Sequence, residues 1–155
     1  MPTFVVHEHH ATRLHFDFRL EIEGVLKSWA VPKGPSMNPK DKRLAIMVDD
    51  HALEYGSFQG IIPEGSYGAG AVVIWDKGDC ELLRGNVREG RVEVLLKGKK
   101  LKGAFAMVRI SGKEKEWLLI KKRDEFAEDD FEMKTMLTPA LLKKLVAKVP
   151  PCEAS

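Results

Sequence analysis

Polar and apolar side chains alternate without a break in the segment His15-Phe16-Asp17-Phe18-Arg19-Leu20-Glu21. Side chains on a β-strand point to opposite faces with a period of two residues. One face of this strand therefore buries two phenylalanines and a leucine. The opposite face presents, in order, an imidazole, a carboxylate, a guanidinium and a second carboxylate. The segment predicts a β-strand that carries an active site on its polar face.

Four of the five histidines of the chain fall within residues 7–15. His15 and Asp17 project to the same face of the predicted strand, and His9 lies six residues before His15, beyond a predicted turn or bulge. Two imidazoles and one carboxylate can hold a metal ion and leave coordination positions open for water and substrate. Such mixed ligands suit manganese, iron or zinc better than magnesium or calcium. The alternative is a solvent-exposed polar face on which the histidines have no ligand role.

Arg19 follows the candidate metal ligands on the same strand face. A guanidinium beside a divalent metal ion is repelled unless an anion lies between them, which favours a phosphate or a carboxylate as substrate. His51 ends a second alternating segment, residues 43–51, and Tyr55 follows four residues later. An imidazole at this position would protonate a leaving oxygen or bind a phosphate as imidazolium. A histidine without a functional role is the alternative.

The composition of the 155 residues is that of one soluble globular domain, with 44% hydrophobic and 31% charged residues. A net charge of +2 gives no argument for nucleic-acid binding from bulk charge. Residues 97–123 are rich in lysine, however, and form either a phosphate-facing surface or a merely solvated one. Cys80 and Cys152 lack the spacing of a metal site. Because no signal peptide or membrane span is recognisable, we expect a reduced, cytoplasmic protein.

Short segments bounded by glycine, proline, aspartate or asparagine predict a mainly β protein, either an antiparallel barrel or a sandwich. The predicted strands are residues 3–7, 13–22, 27–31, 43–48, 54–58, 71–75, 80–83, 91–96, 103–110 and 117–121. A C-terminal helix is predicted from the N-cap Thr138 to residue 149, and we expect it to cover an open face of the sheet. The whole chain, 1–155, is expected to be one domain with its core in 3–124 and an acidic connector and helix in 125–149.

Several motifs, in this order, resemble the 3′-phosphoesterase module of the bacterial non-homologous end-joining ligase D. They are His9-x5-His15-x-Asp17-x-Arg19-Leu20-Glu21, Leu26-Lys27-Ser28-Trp29-Ala30-Val31-Pro32-Lys33-Gly34-Pro35, Arg43-Leu44-Ala45, Asp50-His51 with Tyr55, Ile62-Pro63-Glu64-Gly65-x-Tyr67-Gly68-Ala69-Gly70 and Trp117-Leu118-Leu119-Ile120-Lys121. The resemblance covers roughly residues 4–124. It implies a small antiparallel β-barrel with short flanking helices and a C-terminal helix, here as a stand-alone protein.

The resemblance also implies a manganese-dependent enzyme that heals the 3′ ends of DNA or RNA, with zinc or cobalt as alternative metals. Such enzymes remove a 3′-terminal ribonucleotide to leave a 3′-phosphate, and then hydrolyse that phosphate to a 3′-hydroxyl. The implied partners are the 3′ ends of primer–template DNA and a repair ligase or polymerase, and no membrane is implied. Because only eight residues precede His9 in this chain, the resemblance favours phosphate removal over ribonucleotide removal.

Carried over by position, the resemblance assigns the metal ion to His9, His15 and Asp17. It implies contacts to the scissile phosphate from Arg19, Arg43, His51 and Tyr55, and support from Lys33, Glu21 and Asp49. The family commonly has a glutamate at the position of Asp49, whose shorter side chain reaches less far. His7 and His10 stand where the family does not have histidine, and we expect neither of them to take part in the chemistry.

Two other functions remain open at this point. A non-catalytic module that binds nucleic-acid ends would use the lysine-rich segment with Arg19 and Arg43, and its binding would depend on salt but not on metal. A 2-His-1-carboxylate iron oxygenase would use the same three ligands. The two arginines argue against the oxygenase, and the complete ligand set argues against the pure binding module, which has no need of an open metal site.

Overall fold

A computed structural model describes residues 1–65 and 68–148, and this part of the chain contains nine β-strands. They are β1 (Thr3–His10), β2 (Leu14–Ile22), β3 (Val25–Val31), β4 (Lys42–His51), β5 (Gly60–Ile62), β6 (Gly70–Asn86), β7 (Arg91–Lys97), β8 (Lys102–Arg109) and β9 (Glu116–Lys121). Eight of them form a closed antiparallel barrel in the order β1-β2-β3-β4-β9-β8-β7-β6, because β6 also pairs with β1. The short β5 pairs with the first residues of β6, beside this ring. The predicted mainly β barrel is confirmed.

Alternation along the strands creates two separate packed regions. Inward-facing side chains form the main core, and Trp29, Trp75 and Trp117 all belong to it, as the sequence predicts. A second, smaller apolar cluster lies on the outer face of β1 and β6, where Tyr55 and Phe58 cover the barrel wall. A polar strand face can therefore be buried here without facing the core, since a covering segment excludes water from it.

The prediction of a strand at residues 54–58 is wrong. The chain forms a 3-10 helix there, Leu53–Ser57, in which the N–H of Tyr55 donates to the carbonyl of Ala52 at 3.0 Å. The N–H of Phe58 donates to the carbonyl of Tyr55 at 3.0 Å and ends the helix. Local bonds thus replace strand pairing, and the two aromatic side chains of this segment turn towards the barrel wall.

The predicted strands 71–75 and 80–83 are one continuous strand, β6. The glycine and the aspartates between them are typical of a turn. In the fold, a Cβ atom on Gly78 would lie 2.2 Å from the carbonyl oxygen of Lys97, so this glycine permits a close backbone approach within the sheet. The glycine-rich loop before β6 is described except for residues 66 and 67, which lie outside the described residues.

The C-terminal helix α1 is shorter than predicted and covers nothing. It runs over Pro139–Lys144, and the side chain of Thr138 accepts a hydrogen bond from the N–H of Leu141, as expected of an N-cap. No residue of α1 is buried. The expectation that this helix covers an open face of the sheet is therefore wrong.

The end of the barrel is covered instead by the extended segment of residues 131–137. Met133 packs against the main core. Glu8, which is fully buried, accepts hydrogen bonds from the backbone N–H groups of Met136 at 2.5 Å and Leu137 at 2.9 Å. The chain that follows the predicted acidic connector is thus attached to the end of the barrel.

After α1, residues 146–148 run parallel to β5. The N–H of Ile61 donates to the carbonyl of Val146, and the N–H of Lys148 donates to the carbonyl of Ile61, both at 3.0 Å. The predicted end of the helix at residue 149, and the prolines and the cysteine that follow it, lie outside the described residues. In the ranges that are described, no helix combines the length and the apolar character needed to cross a membrane.

Candidate metal centre

The pairing of β1 with β2 divides the histidine cluster between the two faces of the barrel wall. His9 lies opposite His15, and His7 lies opposite Asp17, so these four side chains share the outer face. His10 follows His9 on β1, so its side chain lies on the opposite, inner face. Its Nε2 is 2.6 Å from the carboxylate of a glutamate buried inside the barrel. Strand alternation alone therefore separates His10 from the candidate site.

Three side chains converge as the sequence predicts a metal site to do. The ligand atoms of His9, His15 and Asp17 all lie within 4.8 Å of one another. His9 Nδ1 is 3.7 Å from one carboxylate oxygen of Asp17, and His15 Nε2 is 3.3 Å from the other. The three side chains are between 9% and 26% exposed, so the site is mostly shielded but open on one side. This donor set suits a divalent metal ion with positions left for water or substrate.

Backbone carbonyls fix which nitrogen each imidazole can offer. His9 Nε2 lies 2.8 Å from the carbonyl oxygen of Gly68, to which it donates, and its Nδ1 faces Asp17. His15 Nδ1 lies 3.3 Å from the carbonyl oxygen of Arg13, and its Nε2 therefore faces the same carboxylate. Hydrogen bonds of this kind orient metal-binding histidines and set their tautomers.

The electrostatics of the three groups match a cation site. Burial alone would raise the pKa of Asp17, but hydrogen bonds from His15 and His9 and the charge of Arg19 outweigh it and hold this pKa well below its usual range. The hydrogen bond to Asp17 raises the pKa of His15. A carboxylate that stays ionised in a shielded site, beside two imidazoles, is prepared to receive positive charge.

Arg19 is held from several directions beside the metal ligands. Its Nη2 donates to Asp17 at 3.2 Å, its Nε to His7 Nδ1 at 3.0 Å and its Nη1 to the hydroxyl of Ser28 at 2.9 Å. The guanidinium also lies over the ring of Tyr55, 4.7 Å from its centroid. Only 3% of its side chain is exposed, so its orientation is fixed before any substrate binds.

His51 and Tyr55 complete the cluster from the far end of β4 and the 3-10 helix. His51 Nδ1 lies 3.2 Å from Arg19 Nη1 and 3.0 Å from the carbonyl of Asp49, so this nitrogen serves one or the other according to its tautomer. The ring centroids of His51 and Tyr55 are 4.7 Å apart, and the two ring planes are inclined by 32°. Burial and then the charge of Arg19 lower the pKa of His51. His51, far along the chain, thus lies beside Arg19 of the first cluster.

His7 is a member of the site that the sequence analysis placed outside the chemistry. It is completely buried, and Phe58 and Tyr55 enclose it from the covering segment. Its Nδ1 accepts the hydrogen bond of Arg19, so its Nε2 carries the proton and donates to the carbonyl of Phe58 at 3.1 Å. Burial, followed by the charge of Arg19, lowers the pKa of His7 to about 3. His7 is therefore neutral and acts as an acceptor that orients the guanidinium.

Ser28 is also absent from the sequence-based candidates. Its hydroxyl lies between Arg19 and the carbonyl of Leu26, and the residue is fully buried. The register that pairs Arg19 directly with Ser28 is the signal that would have found it, since cross-strand partners share one face of a sheet. That signal requires the pairing of β2 with β3 to be known.

Three residues expected in support lie around the cluster rather than in it. Glu21 continues the row on β2, but its carboxylate binds the backbone and hydroxyl of Thr3 at 3.1 and 3.2 Å. Asp49 contributes its backbone carbonyl to His51, while the residue itself is exposed. Lys33 is exposed just beyond the end of β3, and within the described residues no hydrogen bond or ion pair joins it to the cluster.

The structure does not bring Arg43 to the cluster. It lies near the start of β4 whereas His51 ends this strand, and a rise of about 3.3 Å per residue separates the two by about 25 Å. Arg43 lies two residues before Ala45 and therefore on the same face of β4, which is the face towards the barrel core. Arg43 instead reaches Asp41, at 3.6 Å. A contact between Arg43 and the phosphate stays a prediction of the family resemblance.

A comparison with family models identifies residues 7–109 as a DNA ligase D 3′-phosphoesterase domain. The multifunctional non-homologous end joining protein LigD of Pseudomonas aeruginosa is 48% identical over 126 residues, which are 78% of this chain and 15% of that protein. The corresponding LigD DNA repair protein of Mycobacterium tuberculosis is 46% identical over 132 residues, or 84% of this chain and 17% of that protein.

The LigD protein of Mycolicibacterium smegmatis is 44% identical over 131 residues, with 79% of this chain and 17% of that protein covered. The chain thus spans less than a fifth of the length of these relatives. The matched region contains the three candidate metal ligands, Arg19, His51 and Tyr55. On this evidence, the chain belongs to the family of DNA ligase D 3′-phosphoesterase domains.

Proposed function

We propose that this protein is a divalent-metal-dependent phosphoesterase that restores 3′-hydroxyl ends on nucleic acids. It would remove 3′-phosphates and 3′-terminal ribonucleotides during end joining and so prepare ends for a ligase or polymerase. The convergence of His9, His15 and Asp17 beside a fixed guanidinium, in a chain of the 3′-phosphoesterase family, carries this proposal. Manganese is the proposed metal, with zinc and cobalt as alternatives.

The three ligand side chains would hold the metal through His9 Nδ1, His15 Nε2 and the carboxylate of Asp17. A divalent ion supplies Lewis-acid polarisation of a phosphate oxygen and of the attacking water. The hydrogen bonds from the two imidazoles to the carbonyls of Gly68 and Arg13 would keep these nitrogens aimed at the ion during turnover.

Arg19 and His51 would act on the phosphate itself. The bonds to His7, Ser28 and Asp17 still leave an Nη2 N–H of Arg19 for a non-bridging phosphate oxygen beside the metal ligands. His51 would donate a proton to the 3′ oxygen as its bond to phosphorus breaks. Burial and Arg19 lower the pKa of His51 in the free protein, whereas a phosphate dianion placed against it favours the imidazolium.

A labelled primer with a modified 3′ end tests the proposal directly. A 5′-labelled primer ending in a 3′-phosphate or in one ribonucleotide is incubated with the protein and Mn²⁺, Mg²⁺, Zn²⁺, Co²⁺ or EDTA. We expect conversion to a 3′-hydroxyl end with Mn²⁺ and none with EDTA. Unchanged 3′ ends in every metal would leave the non-catalytic end-binding module as the function of this chain.

Single substitutions then test the assigned residues. His9→Ala, His15→Ala and Asp17→Asn are expected to lower turnover by about a thousandfold or more, because each removes a metal ligand. His10→Gln is the matched control, since this histidine belongs to the same strand but to its other face. Circular dichroism verifies that each variant is folded. Activity at the wild-type level in any one of the three ligand variants would contradict the metal assignment.

A further inference from the structure

The part of the chain that the structure describes covers the candidate metal centre on one side only. On the β1 and β6 side, the 3-10 helix and β5 place Tyr55 and Phe58 over the barrel wall. On the β3 and β4 side, the outer face carries Ala30 and Ile46, which are half-buried, and Leu44, which is 40% exposed. Within the described residues, no element covers these side chains. A large substrate can therefore reach the metal ligands across β3 and β4.

The uncovered wall continues from β4 onto β9 as an apolar strip. Leu44 is paired with Leu118, and Lys42 with Ile120, so these outward-facing side chains form adjacent rows. Leu118 and Ile120 are both half-buried. We refer to this surface as the β4–β9 face, which consists of Lys42, Leu44, Ile46, Leu118, Ile120 and Lys122.

Strand register connects this face to the metal ligands. Asp17 lies opposite Ala30, Ala30 opposite Ile46, and Ile46 opposite Glu116, which places the four residues in one row across β2, β3, β4 and β9. Neighbouring strands are about 4.8 Å apart, so β9 lies roughly 14 Å from the candidate metal centre. A nucleic-acid strand advances about 3.4 Å per phosphate along a duplex axis, and this distance corresponds to about four nucleotides.

The charges around the β4–β9 face favour a polyanion. Lys42 and Lys115 are exposed at its two ends, and the backbone of Lys115 joins that of Met47 in β4. Two further lysines are partly neutralised, since Lys113 pairs with Glu116 and Lys122 with a glutamate of β7. The exposed charged side chains that this face and its borders present include Lys42, Lys102, Lys113, Glu114, Lys115 and Lys122, five of them basic.

We infer that the β4–β9 face binds the nucleic-acid strand that leads to the 3′ end in the active site. The lysines at its ends would contact backbone phosphates, and the aliphatic strip between them would pack against sugars and bases. This inference rests on the proposed function, because it assumes that a 3′ end occupies the metal centre. It gives the lysine-rich segment a role that is limited to its outward-facing members.

Charge reversal on this face tests the inference through binding rather than turnover. The probe is a fluorescein-labelled primer–template duplex with a 3′-phosphate, and fluorescence anisotropy in EDTA gives its Kd over a range of salt concentrations. We expect Lys42→Glu/Lys115→Glu to weaken binding by about tenfold or more and to lower the slope of log Kd against log salt by about two. Arg88→Glu/Lys99→Glu makes the same charge change in the turns beyond β6 and β7, and we expect wild-type binding from it.

A small aryl phosphate separates this inference from the proposed function. Hydrolysis of p-nitrophenyl phosphate with Mn²⁺ should be equal in wild type and Lys42→Glu/Lys115→Glu, because the charge reversal does not touch the metal ligands. If the wild type with metal hydrolyses neither this compound nor the 3′-phosphate of the primer, the proposed function is overturned. Normal hydrolysis with wild-type Kd and salt slope in Lys42→Glu/Lys115→Glu would overturn the inference alone and would leave this face for a protein partner.

Discussion

The proposed role of the Arg19 guanidinium depends on its geometry as well as on its charge. Its three kinds of nitrogen donate to three different acceptors, a fork that the single ammonium of lysine cannot reproduce. We expect Arg19→Lys to lower kcat on a 3′-phosphate primer by about a hundredfold while the protein stays folded. Steady-state kinetics with Mn²⁺ measures this effect. Arg123→Lys, in an exposed ion pair with Asp129, is the control and should keep wild-type kcat.

The buried neutral His7 makes folding stability depend on pH. Its pKa falls from 6.5 to about 3 on folding, so between these values the unfolded chain binds the additional proton. The contribution of His7 to stability is therefore complete above about pH 6.5 and is lost as the pH falls towards 3. Between pH 7.5 and 5.0, the loss is about 2 kcal/mol at 1.36 kcal/mol per pKa unit.

Urea unfolding at the two pH values checks this prediction. His7→Gln retains an acceptor and a donor but has no group that titrates in this range, so its free energy of unfolding should change less with pH than that of the wild type. His51 contributes in the same direction, because burial also lowers its pKa, and it is present in both proteins. Equal pH dependence in wild type and variant would show that His7 is not the titrating group.

At the residue scale, the sequence was most informative where one strand carried the pattern. Alternation in β2 placed His15, Asp17 and Arg19 on one face, and that prediction needed no tertiary information. His7 and Ser28 were missed because their roles come from cross-strand pairing and from burial beneath the covering segment. Arg43 shows the opposite case. The family resemblance assigns it a contact to the phosphate, but the motif does not say which face of β4 it occupies.

At the element scale, Glu8 attaches the extended segment of residues 131–137 to the end of the barrel. It is fully buried and accepts two backbone hydrogen bonds from Met136 and Leu137. We expect Glu8→Ala to lower the free energy of unfolding by about 2–4 kcal/mol, because two partly buried backbone N–H groups lose the carboxylate that accepts their hydrogen bonds. Amide exchange at these two residues should become faster than in the wild type.

Glu132→Ala is the matched control for this prediction, since that carboxylate is exposed on the same segment. It should change the free energy of unfolding by no more than about 0.5 kcal/mol. Unaltered amide exchange at Met136 and Leu137 in Glu8→Ala would mean that packing of Met133 on the core, rather than Glu8, holds the segment.

The errors in predicted elements also have physical causes. Residues 54–58 contain aromatic side chains at strand-like spacing, yet local backbone bonds close a 3-10 helix and both aromatic rings pack on the barrel wall. The helix at Pro139–Lys144 has the predicted N-cap, but its apolar positions, which predict a buried face, contain no buried residue. In both cases the local pattern of the sequence did not determine the element or its burial, and packing in the folded protein did.

At the scale of the whole molecule, closure of the barrel separates stability from chemistry. The inner face holds the main core, including Trp29 and Trp117, and the outer face of β1 and β2 holds the candidate metal ligands. The sequence predicted a barrel or sandwich but could not choose between them, since the choice depends on whether β1 pairs with β6. That pairing joins segments far apart in the chain and has no local signature.

Because the three ligands come from two strands of this closed wall, metal binding should stabilise the whole fold. A ligand present at a hundred times its Kd adds about 2.7 kcal/mol if it binds only the folded state. For a domain of this size, that corresponds to a rise in Tm of roughly 5–10 °C. Differential scanning fluorimetry with and without Mn²⁺ measures the shift.

In Asp17→Asn the Tm should no longer respond to Mn²⁺. In His10→Gln, whose side chain lies on the opposite face of β1, the full shift should remain. A wild-type shift in Asp17→Asn would place the stabilising ion elsewhere and contradict the site.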